Sequence, residues 1–334
     1  MTKTIQPFVV ALGDPAGIGP EITAKAWEAR QSAALKPFFA VGDAHSISAV
    51  WDGPLHHIDD VADVARVFGE ALPVWHLESS GGVTPGIPTI EGALMALKSL
   101  EIGVGLARTG AAGALITGPV SKHQLYQIGY DHPGQTEYVA EACGVSKANA
   151  TMMLAGPSLR VIPVTIHVPY KDVPALLSVE LIKARAHATV KGLRRDFGIH
   201  QPRLVIAGLN PHAGENGALG REEIDIVAPA VRQLRDEGID ITGPHPPDAM
   251  FTAHMRQTYD AALCLYHDQG LIPLKALHFE EGVNMTLGLP IIRTSPDHGT
   301  AFPIAGRNEA HPGAMIAAIK MAAEAAHSRA LCLV

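Results

Sequence analysis

The chain has 334 residues, 47% hydrophobic and 18% charged, enough for two ordinary domains or one large α/β domain with a substantial core, which excludes disorder. A net charge of −7 with no sustained basic run, and only 5% aromatic residues, speak against nucleic-acid and anionic-membrane partners. Cys143, Cys264 and Cys332 lie far apart without a CxxC pair, and no stretch approaches the length of a membrane span, so a reduced, soluble, cytoplasmic protein is expected.

The first strand candidate, Phe8–Leu12, runs into Gly13-Asp14-Pro15-Ala16-Gly17-Ile18-Gly19-Pro20-Glu21. Glycines between a strand and a helix let backbone approach a ligand and leave helix N–H groups free for an anion. The third glycine of a dinucleotide fingerprint is missing, so a tight turn and a ligand loop stand as equal alternatives. Further strands are expected at Phe38–Val41, Ala114–Thr117, Thr151–Ala155, Arg160–Ile166, Leu204–Gly208 and Ala262–Tyr266. These are continuous apolar runs, as suits strands covered on both faces. The Gly/Pro-rich piece Gly81–Pro88 is the nearest thing to a hinge. Ser178–Phe197 places Ile182, Ala186, Val190, Leu193 and Phe197 on one helical face, with Ser178 as N-cap and Gly198 as stop. Glu222–Glu237 carries a second stripe, which Pro229 should bend, and Gly313–Arg329 reads as a final Ala-rich helix packed on the body of the fold. Alternation over the whole length predicts an α/β protein with mostly parallel sheet.

The unusual number is 17 histidines, and three of them fall at strand ends. His167 follows Val161–Ile166, His212 follows Leu209-Asn210-Pro211, and His267 closes the run before Asp268-Gln269-Gly270. Carboxyl ends of parallel strands are where α/β sheets bind ligands, and three imidazoles with open positions suit a divalent Lewis acid. Asp268 is placed either to orient His267 or to act as acid or base. Beyond it, Lys275, Asn284 and Arg293 offer two cationic donors and one neutral donor, suited to a phosphate or carboxylate, or else ordinary surface charges. Asp297-His298-Gly299-Thr300-Ala301 and Ile304-Ala305-Gly306-Arg307 form a turn of small residues that admits close backbone approach. The GxxxxGK[ST], GxSxG and HExxH patterns are missing.

Together, Gly13–Glu21, Ile116-Thr117-Gly118-Pro119-Val120, Gly208–Glu215, Tyr266–Gly270 and Asn284–Arg307 resemble the 4-hydroxythreonine-4-phosphate dehydrogenase family of vitamin B6 biosynthesis. A more distant likeness, through Gly17–Glu21 and His298–Ala301 with Ile304–Gly306, is to isocitrate and isopropylmalate dehydrogenases. The resemblance implies two α/β/α domains with the active site in the cleft between them, and a homodimer with that site near the subunit boundary. Residues 1–122 with 285–334 would form the first domain, carrying the nucleotide loop. Residues 123–284 would form the second, with metal ligands and dimer contacts. His167, His212 and His267 match positions that bind one divalent ion (zinc, magnesium or cobalt). Lys275, Asn284, Arg293 and Thr136 match positions that bind a phosphorylated substrate, and His298–Ala301 the loop for NADP or NAD. Gln135 departs from the family's usual histidine; an amide can hydrogen-bond there but cannot titrate.

The implied reaction is NAD(P)- and metal-dependent oxidation of 4-phosphooxy-L-threonine with decarboxylation to 3-amino-2-oxopropyl phosphate, with Asp268 or water as base. Two other readings stand beside it. The same chemistry would suit a four-carbon acid-sugar phosphate or a cyclic diol carboxylate. A metal-dependent hydrolase or lyase would leave Asp297–Gly306 without a purpose.

Overall fold

The computed structural model describes residues 5–79, 81–146 and 149–332. The chain divides into two units, residues 1–147 with 289–334 and residues 148–288. The expected boundary at 122/123 falls earlier than this division. The reason is apolar packing: Leu125 and Tyr130 are buried with Ala93 of the helix Ile90–Thr109, and Ile128 and Tyr138 pack against them, which ties residues 123–147 to the first unit.

In the first unit, β1 (Phe8–Ala11), β2 (Phe38–Gly42), β3 (Leu55–His57), β4 (Leu72–His76) and β5 (Leu115–Thr117) pair in parallel. The late strand Arg293–Pro296 adds to β5, again in parallel, giving the spatial order β3-β4-β2-β1-β5 and then that strand. Phe8, Val9, Val10, Phe38, Phe39, Leu115 and Ile116 are fully buried, as continuous apolar strands between helical layers require. The final helix, Gly313–Cys332, covers this sheet as expected; Thr294 Oγ1 donates to its Ala318 carbonyl at 2.9 Å, and Met315, Ala318 and Ile319 are buried.

The second unit adds β6 (Thr151–Gly156), β7 (Leu159–Pro163), β8 (Arg203–Ala207), β9 (Asp240–His245), β10 (Ala261–Cys264) and β11 (Val283–Leu287) in the order β11-β6-β7-β10-β8-β9. Here β11 and β6, and β6 and β7, are antiparallel, whereas β7, β10, β8 and β9 are parallel. Arg293–Pro296 is accordingly β12. The expected strand Arg160–Ile166 is shorter, ending at Pro163, and Ala262–Tyr266 ends at Cys264 because Tyr266 becomes the N-cap of the helix His267–His278.

The helix Val179–Phe197 matches its sequence signals closely. Ser178 Oγ accepts from Leu181 N at 3.1 Å, a cap whose loss typically costs about 1 kcal/mol, and Gly198 ends the helix at φ 65°. Gly192 on its inner face lets the helix meet Leu287, whose side-chain carbons would sit 2.9 Å from any added Cβ. The expected helix Glu222–Glu237 is instead a widened π turn, Glu223–Val227, followed by α-helix Ala228–Asp236. Pro229 offers no N–H to the carbonyl one turn back, which accounts for the irregularity beside it. Among the described residues, no helix is long and apolar enough to cross a membrane.

Candidate functional site

Three adjacent parallel strands of the second unit, β7, β10 and β8, deliver the three predicted histidines. His167 lies just beyond β7 in left-handed conformation (φ 53°), and His267 opens the helix after β10; their rings are 5.4 Å apart. With Thr165, Tyr170, Tyr266 and Asp268 they line a cavity of about 210 Å³. Asp268 Oδ1 lies 2.7 Å from His267 Nδ1, which leaves Nε2 as the ring nitrogen not engaged by Asp268. Asp268 is itself 69% exposed, so the contact that defines it is the one to His267.

His212 follows β8 on an unusual backbone. His212, Ala213, Gly214, Glu215 and Asn216 have φ of 52°, 52°, 79°, 44° and 55°, one turn of left-handed helix. For L-residues that conformation costs roughly 1–2 kcal/mol each, so it persists only where surroundings over-determine it. The buried Glu223 provides the restraint. Its Oε1 accepts from Leu209 N and Asn210 N, both at 2.7 Å, and its Oε2 from Asn210 Nδ2 at 3.0 Å. At Gly214 (φ 79°), an added Cβ would come within 2.5 Å of Glu223 Oε2, so a side chain there would displace the carboxylate that holds the turn. Gln269 joins the ends of β10 and β8: its side-chain oxygen accepts from Leu265 N at 2.6 Å and its amide donates to Gly208 O at 2.7 Å. Glu223 and Gln269 were not singled out from the sequence, although Gln269 stands inside the quoted Tyr266–Gly270 motif. The donor atoms of His167, His212 and His267 do not all come within 4.8 Å of one another.

The predicted substrate residues divide between the units. Lys275, half-buried in the helix begun by His267, and Asn284 on β11 belong to the second unit. Arg293, Thr136 and Gln135 belong to the first, where the structure brings them together. Arg293 opens β12 and is only 3% exposed, which excludes an ordinary surface charge. Its guanidinium donates to Thr117 Oγ1 at 2.7 Å and to Thr136 Oγ1 at 3.3 Å. Burial lowers its pKa to about 10, against the opposing pull of Glu137 and Tyr130, so it remains a cation at neutral pH. Gln135 Nε2 donates to Gly118 O at 3.1 Å. Thr117 was read only as part of the Ile116–Val120 motif; its hydroxyl contact to Arg293 becomes visible only in three dimensions.

The loop Gly13–Gly19 is fixed from two sides: Asp14 N donates to Pro119 O at 2.9 Å and Ile18 N to Thr300 O at 3.0 Å. Gly17 passes so close to Thr300 that an added Cβ would lie 3.0 Å from its carbonyl oxygen. His298–Ala301 therefore sits against the opening loop, with Gly299 facing open space. Burial raises the Asp14 carboxyl's pKa, with the Ala16 N–H bond opposing it. Asp14 Oδ2, His298 Nε2 and Asn284 Oδ1 are buried without a hydrogen-bond partner; His298 and Asn284 are residues assigned to ligands from sequence, whereas Asp14 lies in the loop left open between a tight turn and a ligand loop.

A profile of the pyridoxal phosphate biosynthetic protein PdxA family matches residues 34–322. The chain is 57% identical, over 97% of each chain, to the 4-hydroxythreonine-4-phosphate dehydrogenase of Zymomonas mobilis. The chain belongs to the PdxA family. It is an oxidoreductase by that membership, and it is 54% identical over 99% of each chain to the protein of that name from Erythrobacter litoralis. Among solved structures, the 4-hydroxythreonine-4-phosphate dehydrogenase of Klebsiella pneumoniae matches with a TM-score of 0.85 and 37% identity, covering 98% of this chain and 99% of that one. A terephthalate 1,2-cis-dihydrodiol dehydrogenase from Burkholderia xenovorans matches with a TM-score of 0.63 and 29% identity, covering 96% and 98%.

Proposed function

We propose that this PdxA-family chain oxidises the C3 hydroxyl of 4-phosphooxy-L-threonine, with NAD or NADP as acceptor and a divalent cation, and that the product loses CO2 to give 3-amino-2-oxopropyl phosphate. The observation that carries the substrate class is Arg293, a buried cation flanked by the hydroxyls of Thr117 and Thr136. A desolvated guanidinium in that setting suits a phosphate, and the names of full-length relatives point the same way. Lys275 and Asn284 are assigned to substrate binding as well. The unpartnered Asn284 Oδ1 supports that role.

Three imidazoles form a donor set that fits zinc, cobalt or, less naturally, magnesium. A divalent ion held by His167, His212 and His267 would polarise the hydroxyl oxygen and the carbonyl that replaces it; the nicotinamide would take the hydride. We assign His298–Ala301 to that nucleotide. Buried His298 Nε2, and the close approach of backbone at Gly17 and Thr300, support the assignment. Asp268 holds His267 by its Nδ1, so we assign it to orienting that ring, and the hydroxyl proton then leaves to water. Gln135 donates a single amide hydrogen bond, as an imidazole N–H also would, which favours the phosphothreonine over a shifted substrate. A homodimer and a cytoplasmic location complete the proposal, on family resemblance.

The test is formation of reduced nicotinamide, followed by absorbance, with each cofactor and with 4-phosphooxy-L-threonine or a four-carbon acid-sugar phosphate. Preference for the latter would reject the assignment. Arg293→Ala should cost about 1.5–3 kcal/mol in kcat/KM on the phosphorylated substrate and leave a dephosphorylated analogue's low rate unchanged. Equal losses on both would remove Arg293 from the phosphate.

A further inference from the structure

The geometry points to a second divalent-cation site, in the first unit, built from Asp43, His45 and His76. One donor atom from each lies within 4.8 Å of the others, the only such His/Cys/Asp/Glu group of three among the described residues. None of the three belongs to the ligands assigned above, and the site stands independently of the proposed reaction.

The sheet order β3-β4-β2 assembles it. Asp43 directly follows β2, His76 ends β4, and His57 ends β3, so all reach the carboxyl edge of neighbouring parallel strands. Asp43 is the N-cap of the short helix Ala44–Ser48, and its Oδ1 accepts from His45 N at 2.9 Å. That bond and near-complete burial (2% exposed) fix the carboxylate before any ion arrives. His45 Nδ1 lies 3.0 Å and His76 Nδ1 3.9 Å from the same Asp43 oxygen.

Both imidazoles are tied to the helix N-terminus: His45 Nδ1 is hydrogen-bonded to Asp43 Oδ1, and His76 shares the capping with Asp43. His76 Nδ1 accepts the Ala44 N–H at 3.1 Å, so this nitrogen carries a lone pair rather than a proton. That one lone pair is engaged by the Ala44 N–H, and the 3.9 Å to Asp43 Oδ1 is too long for a hydrogen bond. A cation would replace the proton shared by His45 Nδ1 and Asp43 Oδ1 and draw His76 off the Ala44 N–H, gathering the three donors on one centre. His57 stacks on His76 with ring centroids 5.0 Å apart and 24° between planes, which fixes the ring's orientation. His45 is 82% exposed, leaving an entry path and room for water on the remaining positions. Two imidazoles and one carboxylate form a borderline donor set, which selects zinc-like ions over magnesium or calcium. A cation there would join the ends of β2 and β4 to the helix between them.

The experiment is titration of chelator-stripped full-length protein with Zn²⁺ alone, by calorimetry and by thermal unfolding. To silence the other candidate site, it is run in a His212→Ala/His267→Ala background as well as in wild type. One equivalent should remain in that background and raise Tm, because an ion that binds only the folded state stabilises it. Adding His45→Ala, at an exposed position that folding does not require, should weaken that equivalent at least tenfold; Asp43→Asn, which keeps a capping oxygen, should do the same. Binding that is unaltered by both changes, or no remaining equivalent in the double-alanine background, would overturn the site. Co²⁺ supplies a second readout: ligand-field absorption that survives His212→Ala/His267→Ala and disappears with His45→Ala supports it, and the reverse pattern rejects it.

Discussion

Each unit places histidines at the carboxyl ends of three adjacent parallel strands, yet the two sets are built in opposite ways. In the first unit, His45 and His76 close around a carboxylate already fixed as a helix cap, with His57 stacked behind them. In the second, His167, His212 and His267 stand on three separate connections, two of them with left-handed backbone at the histidine, and their donors are spread more widely. The first arrangement gains its shape from packing and a cap. The second holds its shape against backbone preference, through Glu223 and Gln269, which is the pattern expected where strain serves a reaction rather than stability.

That contrast breaks most sharply at His212. His212→Ala should leave the fold intact and lower turnover at least about a hundredfold, the scale of losing a Lewis acid at the reacting oxygen. Near-normal turnover in steady-state assays would remove the second-unit set from the reaction. Glu223→Ala comes next, since it strands the Leu209 and Asn210 N–H groups at roughly 1–3 kcal/mol each in stability. As a positioning residue, Glu223 should also affect the ion: metal affinity in the alanine variant is expected to fall about 10–100-fold, with Glu223→Gln restoring most of it. Unfolding curves and metal titration together check both outcomes.

In the first unit the expected effects are smaller. Asp43→Ala removes a helix cap, worth about 1 kcal/mol, and should lower Tm while turnover changes less than about twofold. A large loss of turnover would show that this set is coupled to the reaction after all. The smallest effect tests strain directly. Glu215 is exposed at φ 44°, and Glu215→Gly should raise stability by up to about 1 kcal/mol, because relief of left-handed strain exceeds the added chain entropy. Denaturant midpoints decide it, and a destabilised variant would mean that the turn is not strained.

Much of the fold was legible in residues that act locally. Ser178 and Gly198 bound their helix by capping and by left-handed freedom, and Pro229 disturbs its helix by lacking an N–H. Strand ends were less legible. Tyr266 and His267 extend an apolar run in sequence, but their backbone turns into a helix, which hydrophobic periodicity cannot register. β4 was not anticipated, although Leu72-Pro73-Val74-Trp75-His76 is largely buried: a proline in a short run argues against a strand when no neighbour is known.

By itself, then, the sequence determined the alternation of strands and helices, the family, and the histidines that follow β7, β8 and β10, because each of these is written in contiguous residues. It did not reveal that Arg293 is buried between two threonine hydroxyls rather than solvated, since Thr117, Thr136 and Arg293 come from three distant segments. Nor did it join Asp43 and His45 to His76, which lies more than thirty residues further along the chain. Tertiary structure decided these contacts for one physical reason. Parallel strands pair across long crossovers, so residues at their carboxyl ends meet according to the order of strands in the sheet, and spacing along the chain says nothing about that order.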